Sequence, residues 1–325
     1  MFDPAAVGKE LKDLYSGAIT ESDLKKAWQL GKSFMMEKQK ERCLEIGVYA
    51  VILPALWARY HLANEFGKTE EDIFNFYTWA EGGWISSKSA GDVESIFSFG
   101  YLLSTVESRL LRNIDEAKKI IEEMYKLLNG IGDTASVLKV ITADGLVAEQ
   151  RGDYQGAIDI FSKADDLCPD ARNDVSVQQH LANIWNNCGL SRLNLSDKTE
   201  HITDKRKIVS SAIRDLNKAA RLYMKVDPPP LKHIRGVGNR LIMSAIKLLL
   251  ASSELKEEAI GKSIAEAFSA NDRKTAIGII LGIVPAKANG EYKVDGDVLS
   301  KHIALSIRSI QGQLRKTEEF LSRSS

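Results

Sequence analysis

The chain of 325 residues contains few prolines and few cysteines. Seven prolines in this length favour long helices over many short strands. The three cysteines, Cys43, Cys168 and Cys188, are odd in number and form no Cys-x-x-Cys pair. This usage gives no sign of a disulfide framework and indicates a reducing, cytoplasmic setting.

The sequence also lacks the segments that direct a protein into or across a membrane. No run of 18 apolar residues occurs, and the most apolar stretch, residues 47–57, is closely bounded by Arg42 and Arg59. The N-terminal residues 1–15 are amphipathic and acidic, without the basic and apolar regions of a signal peptide. We therefore expect a soluble, cytoplasmic protein without a membrane partner.

Sequence signatures of catalysis are missing as well. There is no P-loop, no HExxH, no GxSxG and no DDxxD, and residues 236–240 are too poor in glycine for a phosphate loop. The five histidines are scattered, and none has a metal-ligand partner at helical spacing. We predict no metal, no cofactor and no enzymatic activity, although a helical enzyme whose site assembles from distant helices is a third alternative.

The formal net charge is zero, but the charges are distributed unevenly. Residues 1–100 carry a net charge of −4, residues 101–200 carry −5, and residues 201–325 carry +9. A basic last third of this kind is typical of a solvated helix face, or of a surface that binds nucleic acid or another acidic partner.

Apolar residues recur at helical spacing along most of the chain. The helices predicted before residue 130 cover about 20–38, 41–66, 69–81, 91–111 and 115–128. Thr20 or Ser22 is expected to cap the first, Pro54 to kink the second, and Gly82-Gly83 to break the third. After Pro228-Pro229-Pro230, further helices are predicted at about 231–253, 255–270, 273–283 and 298–322, with a small β-hairpin near 286–295.

The most informative pattern lies in residues 134–169. Its elements, in order, are Gly145, the turn Gly152-Asp153-Tyr154, then Ala157, Phe161 and Ala164 at i, i+4 and i+7, and finally Pro169. The small residues allow two antiparallel helices to approach closely, and the aromatic rings fill the space between them. The pattern resembles the tetratricopeptide repeat, although Ile141 and Asp144 stand where that family usually has Trp and Leu.

A second, degenerate unit of the same kind follows. Trp185 and Gly189 are spaced as in the first helix of the family, with Cys188 where Leu is usual. Its second helix keeps the spacing with Ala212, Leu216 and Ala219, after an insertion at residues 194–204.

A single repeat cannot bury its apolar face, so the resemblance implies stacked neighbours. We therefore expect an all-α fold, a right-handed α-solenoid of antiparallel helix pairs. In this interpretation residues 1–132 form divergent helical hairpins, residues 133–230 form the tetratricopeptide-like repeats, and residues 231–325 form a basic helical region. The three parts together form one continuous solenoid.

The repeat register predicts a partner-binding row on the groove-facing side of the second unit. The row comprises Asn183, Asn186, Asn187, Leu190 and Asn194, with Lys139 in the preceding repeat and Arg235 and Asn239 in the following helix. Carboxamides both donate and accept hydrogen bonds, so they can bind the backbone of an extended peptide. Alternatively, these asparagines are solvated or cap the insertion.

The sequence therefore predicts a non-catalytic adaptor or scaffold that binds a peptide segment of a protein partner in a concave groove. Amides with basic residues suit an acidic segment or a free carboxylate. The two-carboxylate clamp of chaperone-binding members of the family is not complete here. The principal alternative is a nucleic-acid-binding or regulatory module that uses the basic last third.

Overall fold

The computed structural model describes residues 3–18, 20–66, 70–131, 133–167, 177–223 and 225–226, and the single residues 233, 236, 237, 240, 244 and 247. Over these residues the secondary structure consists of α-helices and one π-helical turn, without a strand. The all-α prediction is confirmed for this part of the chain. The predicted hairpin near 286–295, the three prolines at 228–230 and the helices predicted after residue 231 lie outside the described ranges.

The described residues form ten α-helices and one π-helical turn. Their bounds are α1 (Pro4–Ser16), α2 (Glu21–Lys40), α3 (Ile46–Phe66), α4 (Glu70–Ala90), α5 (Val93–Thr105), the π-helical turn (Val106–Leu111), α6 (Ile114–Ile131), α7 (Thr134–Gln150), α8 (Tyr154–Leu167), α9 (Gln178–Lys198) and α10 (Ile202–Tyr223). The chain divides into two compact units. Unit 1 comprises residues 1–184 and 222–232, and unit 2 comprises residues 185–221 and 233–325.

Side-chain caps fix the starts of several helices in unit 1. Thr20 and Asp23 form a capping box at α2, which confirms Thr20 as the predicted N-cap. Asp3, Asp92 and Asp133 each accept a hydrogen bond from a backbone N–H in the first turn of α1, α5 and α7. Each of these caps satisfies a donor that the first helical turn otherwise leaves without an intrahelical partner.

The helices of unit 1 pack in a regular order. Each odd-numbered helix from α1 to α7 packs on the even-numbered helix that follows it, and α1, α3, α5 and α7 pack successively on one another. We call these four the odd-helix layer. The apolar core includes Trp28, Phe34, Phe76, Phe97 and Phe99, which are almost completely buried.

The predicted break at Gly82-Gly83 is wrong, because α4 continues from Glu70 to Ala90. Each glycine lowers helix propensity by about 1 kcal/mol relative to alanine. Both glycines, however, allow an aromatic ring to approach the helix backbone. A Cβ atom on residue 82 would lie 2.6 Å from Tyr49 Oη, and one on residue 83 would lie 2.4 Å from Phe99 Cε1. Packing therefore outweighs the local preference.

Two other predicted boundaries need correction. The helix expected from Glu41 begins at Ile46, because Glu41 is the C-cap of α2 and Arg42 adopts a left-handed backbone with φ of 58°. The expected insertion at residues 194–204 is mostly helical: α9 extends to Lys198 and α10 begins at Ile202. The two helices are thus longer than in a typical repeat rather than separated by a long loop.

The α7–α8 pair has the packing that the repeat pattern predicts. Ala157, Phe161 and Ala164 are fully buried. A Cβ atom on Gly145 would lie 2.3 Å from Phe161 Cε1, so only glycine admits the ring there. Within unit 2, Leu216 takes the corresponding place, because a Cβ atom on Gly189 would lie 2.7 Å from its Cγ.

Candidate functional site

Side chains from the whole odd-helix layer meet in one mixed aromatic and polar group in unit 1. We call it the aromatic–arginine cluster. It comprises Tyr15 of α1, Trp57, Tyr60 and His61 of α3, Tyr101 of α5, Arg109 of the π-helical turn and Glu149 of α7.

The aromatic rings of the cluster touch one another. The centroids of Trp57 and Tyr101 are 5.0 Å apart, and Trp57 meets Tyr60 edge-on at 5.6 Å. The Tyr15 ring stacks on His61 with a centroid distance of 6.1 Å. Tilted and edge-on arrangements of this kind are favourable for aromatic pairs. The rings thus form a continuous surface across α1, α3 and α5.

His61 is held at both ring nitrogens. Its Nδ1 lies 3.2 Å from Glu65 Oε1, and its Nε2 lies 3.2 Å from Tyr15 Oη. The carboxylate requires a donor, so Nδ1–H donates to Glu65 and, in the neutral ring, Nε2 accepts from the Tyr15 hydroxyl. The two contacts fix the orientation of His61 against the aromatic surface.

Arg109 is the cation of the cluster. Its Nη2 donates to Glu149 Oε2 at 3.1 Å, and the Arg109 side chain is 20 % exposed against 7 % for Glu149. Burial raises the pKa of Tyr60, and the neighbouring Arg109 guanidinium lowers it in part. Burial likewise raises the pKa values of Tyr15 and Tyr101. The phenols therefore stay protonated and retain hydroxyl groups for hydrogen bonding.

The π-helical turn determines where Arg109 points. It adds backbone to the end of α5 and closes at Arg112, which has a left-handed φ of 59°. Within the turn Glu107 is buried and accepts a 2.5 Å hydrogen bond from Tyr77 of α4, whereas Arg109 reaches α7. Single π-helical turns are frequent at functional sites. Here the turn places two charged side chains against different helices.

Part of the cluster is accessible from outside. Tyr60 and Glu149 are buried, whereas Tyr15, Trp57, His61, Tyr101 and Arg109 are half-buried. Trp57 differs in this respect from the other four tryptophans, Trp28, Trp79, Trp84 and Trp185, which are all buried. A ligand that lies on the odd-helix layer would therefore contact Trp57.

This cluster is not among the sites predicted from the sequence. One signal was available in the sequence. His61 and Glu65 are four residues apart on a helix and follow directly on Trp57 and Tyr60. The contributions of Tyr15, Tyr101 and Arg109 depend on tertiary packing and have no such local signal.

The residues predicted to bind a partner are distributed over both units. In unit 1, Asn183 Oδ1 accepts a 2.5 Å hydrogen bond from the buried Tyr223. In unit 2, the buried Asn186 accepts one from Arg240 at 2.5 Å. Asn187, Leu190 and Asn194, also in unit 2, are half-buried. Arg235 and Asn239 lie outside the described residues.

Lys139, the other predicted binding residue, is buried between α5 and α7. Its Nζ donates to Ser98 Oγ at 2.8 Å, and burial lowers its pKa. Burial, with a smaller contribution from Lys139, lowers the pKa of the neighbouring His180 to about 4. Lys139 therefore makes an interior hydrogen bond of unit 1, whereas His180 is half-buried.

The buried thiol of Cys188 in unit 2 is not poised for nucleophilic chemistry. Its Sγ lies 3.3 Å from Asp215 Oδ2, which also accepts a 2.7 Å hydrogen bond from Arg192. Burial, followed by the Asp215 charge, raises the pKa of Cys188 to about 12. A thiol of this kind stays protonated and serves packing.

Among the described residues, no group of three or more His, Cys, Asp or Glu side chains that could hold a metal ion occurs. Among the same residues one helix, α3, is long and apolar enough to cross a bilayer. This is a weak indication, because half of its apolar window is buried within the fold, as in the core helix of a soluble protein.

Compared with protein-family models and with curated proteins, the chain matches neither a family nor an individual protein.

Proposed function

We propose that unit 1 is a non-catalytic, tetratricopeptide-like scaffold that binds a peptide segment of a protein partner. In this proposal the helix pairs α1–α2, α3–α4, α5–α6 and α7–α8 stack as a right-handed solenoid. The odd-helix layer would form its concave wall. The successive packing of α1, α3, α5 and α7 supports this arrangement.

The observation that carries the proposal is the half-buried aromatic surface on that layer. Tryptophan, tyrosine and arginine are the residue types that contribute most to protein–protein binding energy, particularly when they lie in a well-packed surface. Trp57, Tyr101 and Arg109 are packed against their neighbours yet remain partly accessible. Such side chains lose little conformational entropy when a ligand binds.

The chemistry of the cluster favours a peptide with an apolar or aromatic anchor. An anchor of this type would stack on Trp57 and Tyr101. Arg109 Nη2 donates to Glu149, and the N–H groups on the accessible part of the guanidinium would donate to peptide carbonyl oxygens. Because Glu149 already balances this charge and Glu65 is exposed, the cluster itself does not favour an acidic segment. The acidic partner expected from the asparagine row would instead bind in unit 2, through Asn187 and Asn194.

The proposal is tested by selecting peptides from a random display library and measuring their affinities by calorimetry. We expect Trp57→Ala to weaken the selected peptides by about 2 kcal/mol or more, which is about 30-fold in Kd. Phe74→Ala is the matched control, because Phe74 is 73 % exposed on the even-numbered helix α4. Equal affinities of both variants and the wild type would overturn the proposal. A loss confined to Asn187→Ala and Asn194→Ala would move the peptide site to unit 2.

A further inference from the structure

Four exposed basic side chains form a straight line on α10 in unit 2. These residues, Lys207, Arg214, Lys218 and Arg221, are separated by seven, four and three positions. At about 100° per residue they fall within about 60° of the helix circumference, and they extend over about 21 Å. We call this line the basic stripe.

The rest of α10 explains why the stripe faces outward. The opposite face carries the apolar residues Val209, Ala212, Ile213, Leu216, Ala219 and Ala220, which are all buried. The acidic residues of the helix are Asp204 in its first turn and Asp215, which is buried and accepts hydrogen bonds from Arg192 and Cys188. Asp204 Oδ1 lies 3.6 Å from Lys207 Nζ at the N-terminal end of the stripe. From Lys207 to Arg221 the exposed side chains of α10 are basic, because Asp215 is buried.

The neighbours of the stripe are polar. Ser210, Ser211 and Asn217 are half-buried on α10, and Arg214 Nη2 donates to Ser211 Oγ at 2.9 Å. Hydroxyl and amide groups beside lysine and arginine are the side chains that contact phosphate oxygens in nucleic-acid complexes. Lys218 Nζ lies 3.7 Å from the centroid of Trp185, which holds that side chain along the helix.

We infer that the basic stripe binds the phosphate backbone of a nucleic acid, independently of the peptide site in unit 1. The charge pattern continues along the sequence, since residues 201–247 include 11 lysines and arginines but only three acidic residues. A membrane surface fits less well, because its binding needs an exposed apolar face and that face of α10 is already buried. An acidic peptide fits less well, because the described residues beside the stripe, Ser210, Ser211 and Asn217, offer no apolar anchor.

The test measures binding of the full-length chain to an oligouridylate of about 16 nucleotides and to a DNA duplex, by fluorescence anisotropy over about 50–200 mM salt. The variant changes Lys207, Arg214, Lys218 and Arg221 to Gln. The salt slope is the slope of the logarithm of the binding constant against the logarithm of the salt concentration. Each neutralised phosphate contributes about 0.7 to its magnitude for a single strand and about 0.9 for a duplex. We expect the slope to become shallower by about 2.8 for RNA or about 3.6 for DNA.

A matched control separates the stripe from net charge. The control changes four exposed lysines of unit 1 to Gln: Lys9, Lys12, Lys25 and Lys119. These changes should leave the salt dependence of nucleic-acid binding unchanged. The inference would be overturned if both variants lost the same affinity for nucleic acid, or if the wild type did not bind nucleic acid. It would also be overturned if stripe-dependent binding occurred only with polyglutamate or with phosphatidylserine vesicles. Circular dichroism checks the fold. If the fourfold variant loses helicity, the single variant Arg214→Gln is measured in its place. We expect it to make the salt slope shallower by about 0.7–0.9.

Discussion

Replacing Gly83 by alanine tests whether tertiary packing, rather than helix propensity, determines the course of α4. In an unconstrained helix this change would raise the free energy of unfolding by about 1 kcal/mol. In α4 the added Cβ would lie 2.4 Å from Phe99 Cε1, well inside van der Waals contact. Phe99 is fully buried, so its ring cannot move aside without disturbing the core. Overpacking of this kind costs about 1–3 kcal/mol. After the gain in helix propensity is subtracted, we expect a net loss in the free energy of unfolding of up to about 2 kcal/mol.

Gly47→Ala is the matched control for this experiment. Gly47 also lies in a helix, α3, but a Cβ there would meet nothing within 4 Å. The control should raise the free energy of unfolding by up to about 1 kcal/mol. Urea denaturation followed by circular dichroism measures both variants. If Gly83→Ala stabilises the protein as much as the control does, the close approach of α4 and α5 is wrong.

Three further predictions concern the core and the sites. Phe161→Ala should lower the free energy of unfolding by about 3–5 kcal/mol, because it empties a fully buried position; an unchanged melting temperature would contradict the α7–α8 packing. Asn183→Ala should lower the free energy of unfolding by about 1–3 kcal/mol, because it leaves the buried Tyr223 hydroxyl without its acceptor. Asn187→Ala should leave that free energy nearly unchanged. Similar values for the two variants in urea denaturation would contradict the hydrogen bond between Tyr223 and Asn183. The lowered pKa of His180 means that the unfolded state binds more protons than the folded state between about pH 6.5 and 4. Stability should therefore fall by up to about 3 kcal/mol as the pH drops through this window, and His180→Gln should remove that component of the fall. If the substitution leaves the pH profile unchanged, the lowered pKa is wrong.

Local sequence patterns predicted the helices wherever the signal lies within one or two turns. The Thr20 cap and the buried positions of Ala157, Phe161 and Ala164 belong to this class. Such signals are local because capping and helix–helix spacing depend on residues a few positions apart. The helical character of the described residues follows from the same periodicity.

Predictions failed where a distant residue decides the local structure. Gly82-Gly83 lie inside a helix because Tyr49 and Phe99 pack against them, and neither aromatic residue is close in sequence. The hydrogen bond that Asn183 accepts has no local signal either, because its donor, Tyr223, is 40 residues away. Apart from the spacing of His61 and Glu65, the aromatic–arginine cluster could not be predicted for the same reason, since it joins α1, α3, α5 and α7.

Photo-crosslinking of a selected peptide tests the central claim most directly. A benzophenone side chain replaces the anchor residue of the peptide, and mass spectrometry locates the crosslinks on the intact chain. We expect crosslinks around Trp57 and Tyr101 on the odd-helix layer, and we expect these crosslinks to disappear when unlabelled peptide competes. Crosslinks confined to the outward surfaces of α4, α6 and α8, or to unit 2, would contradict it.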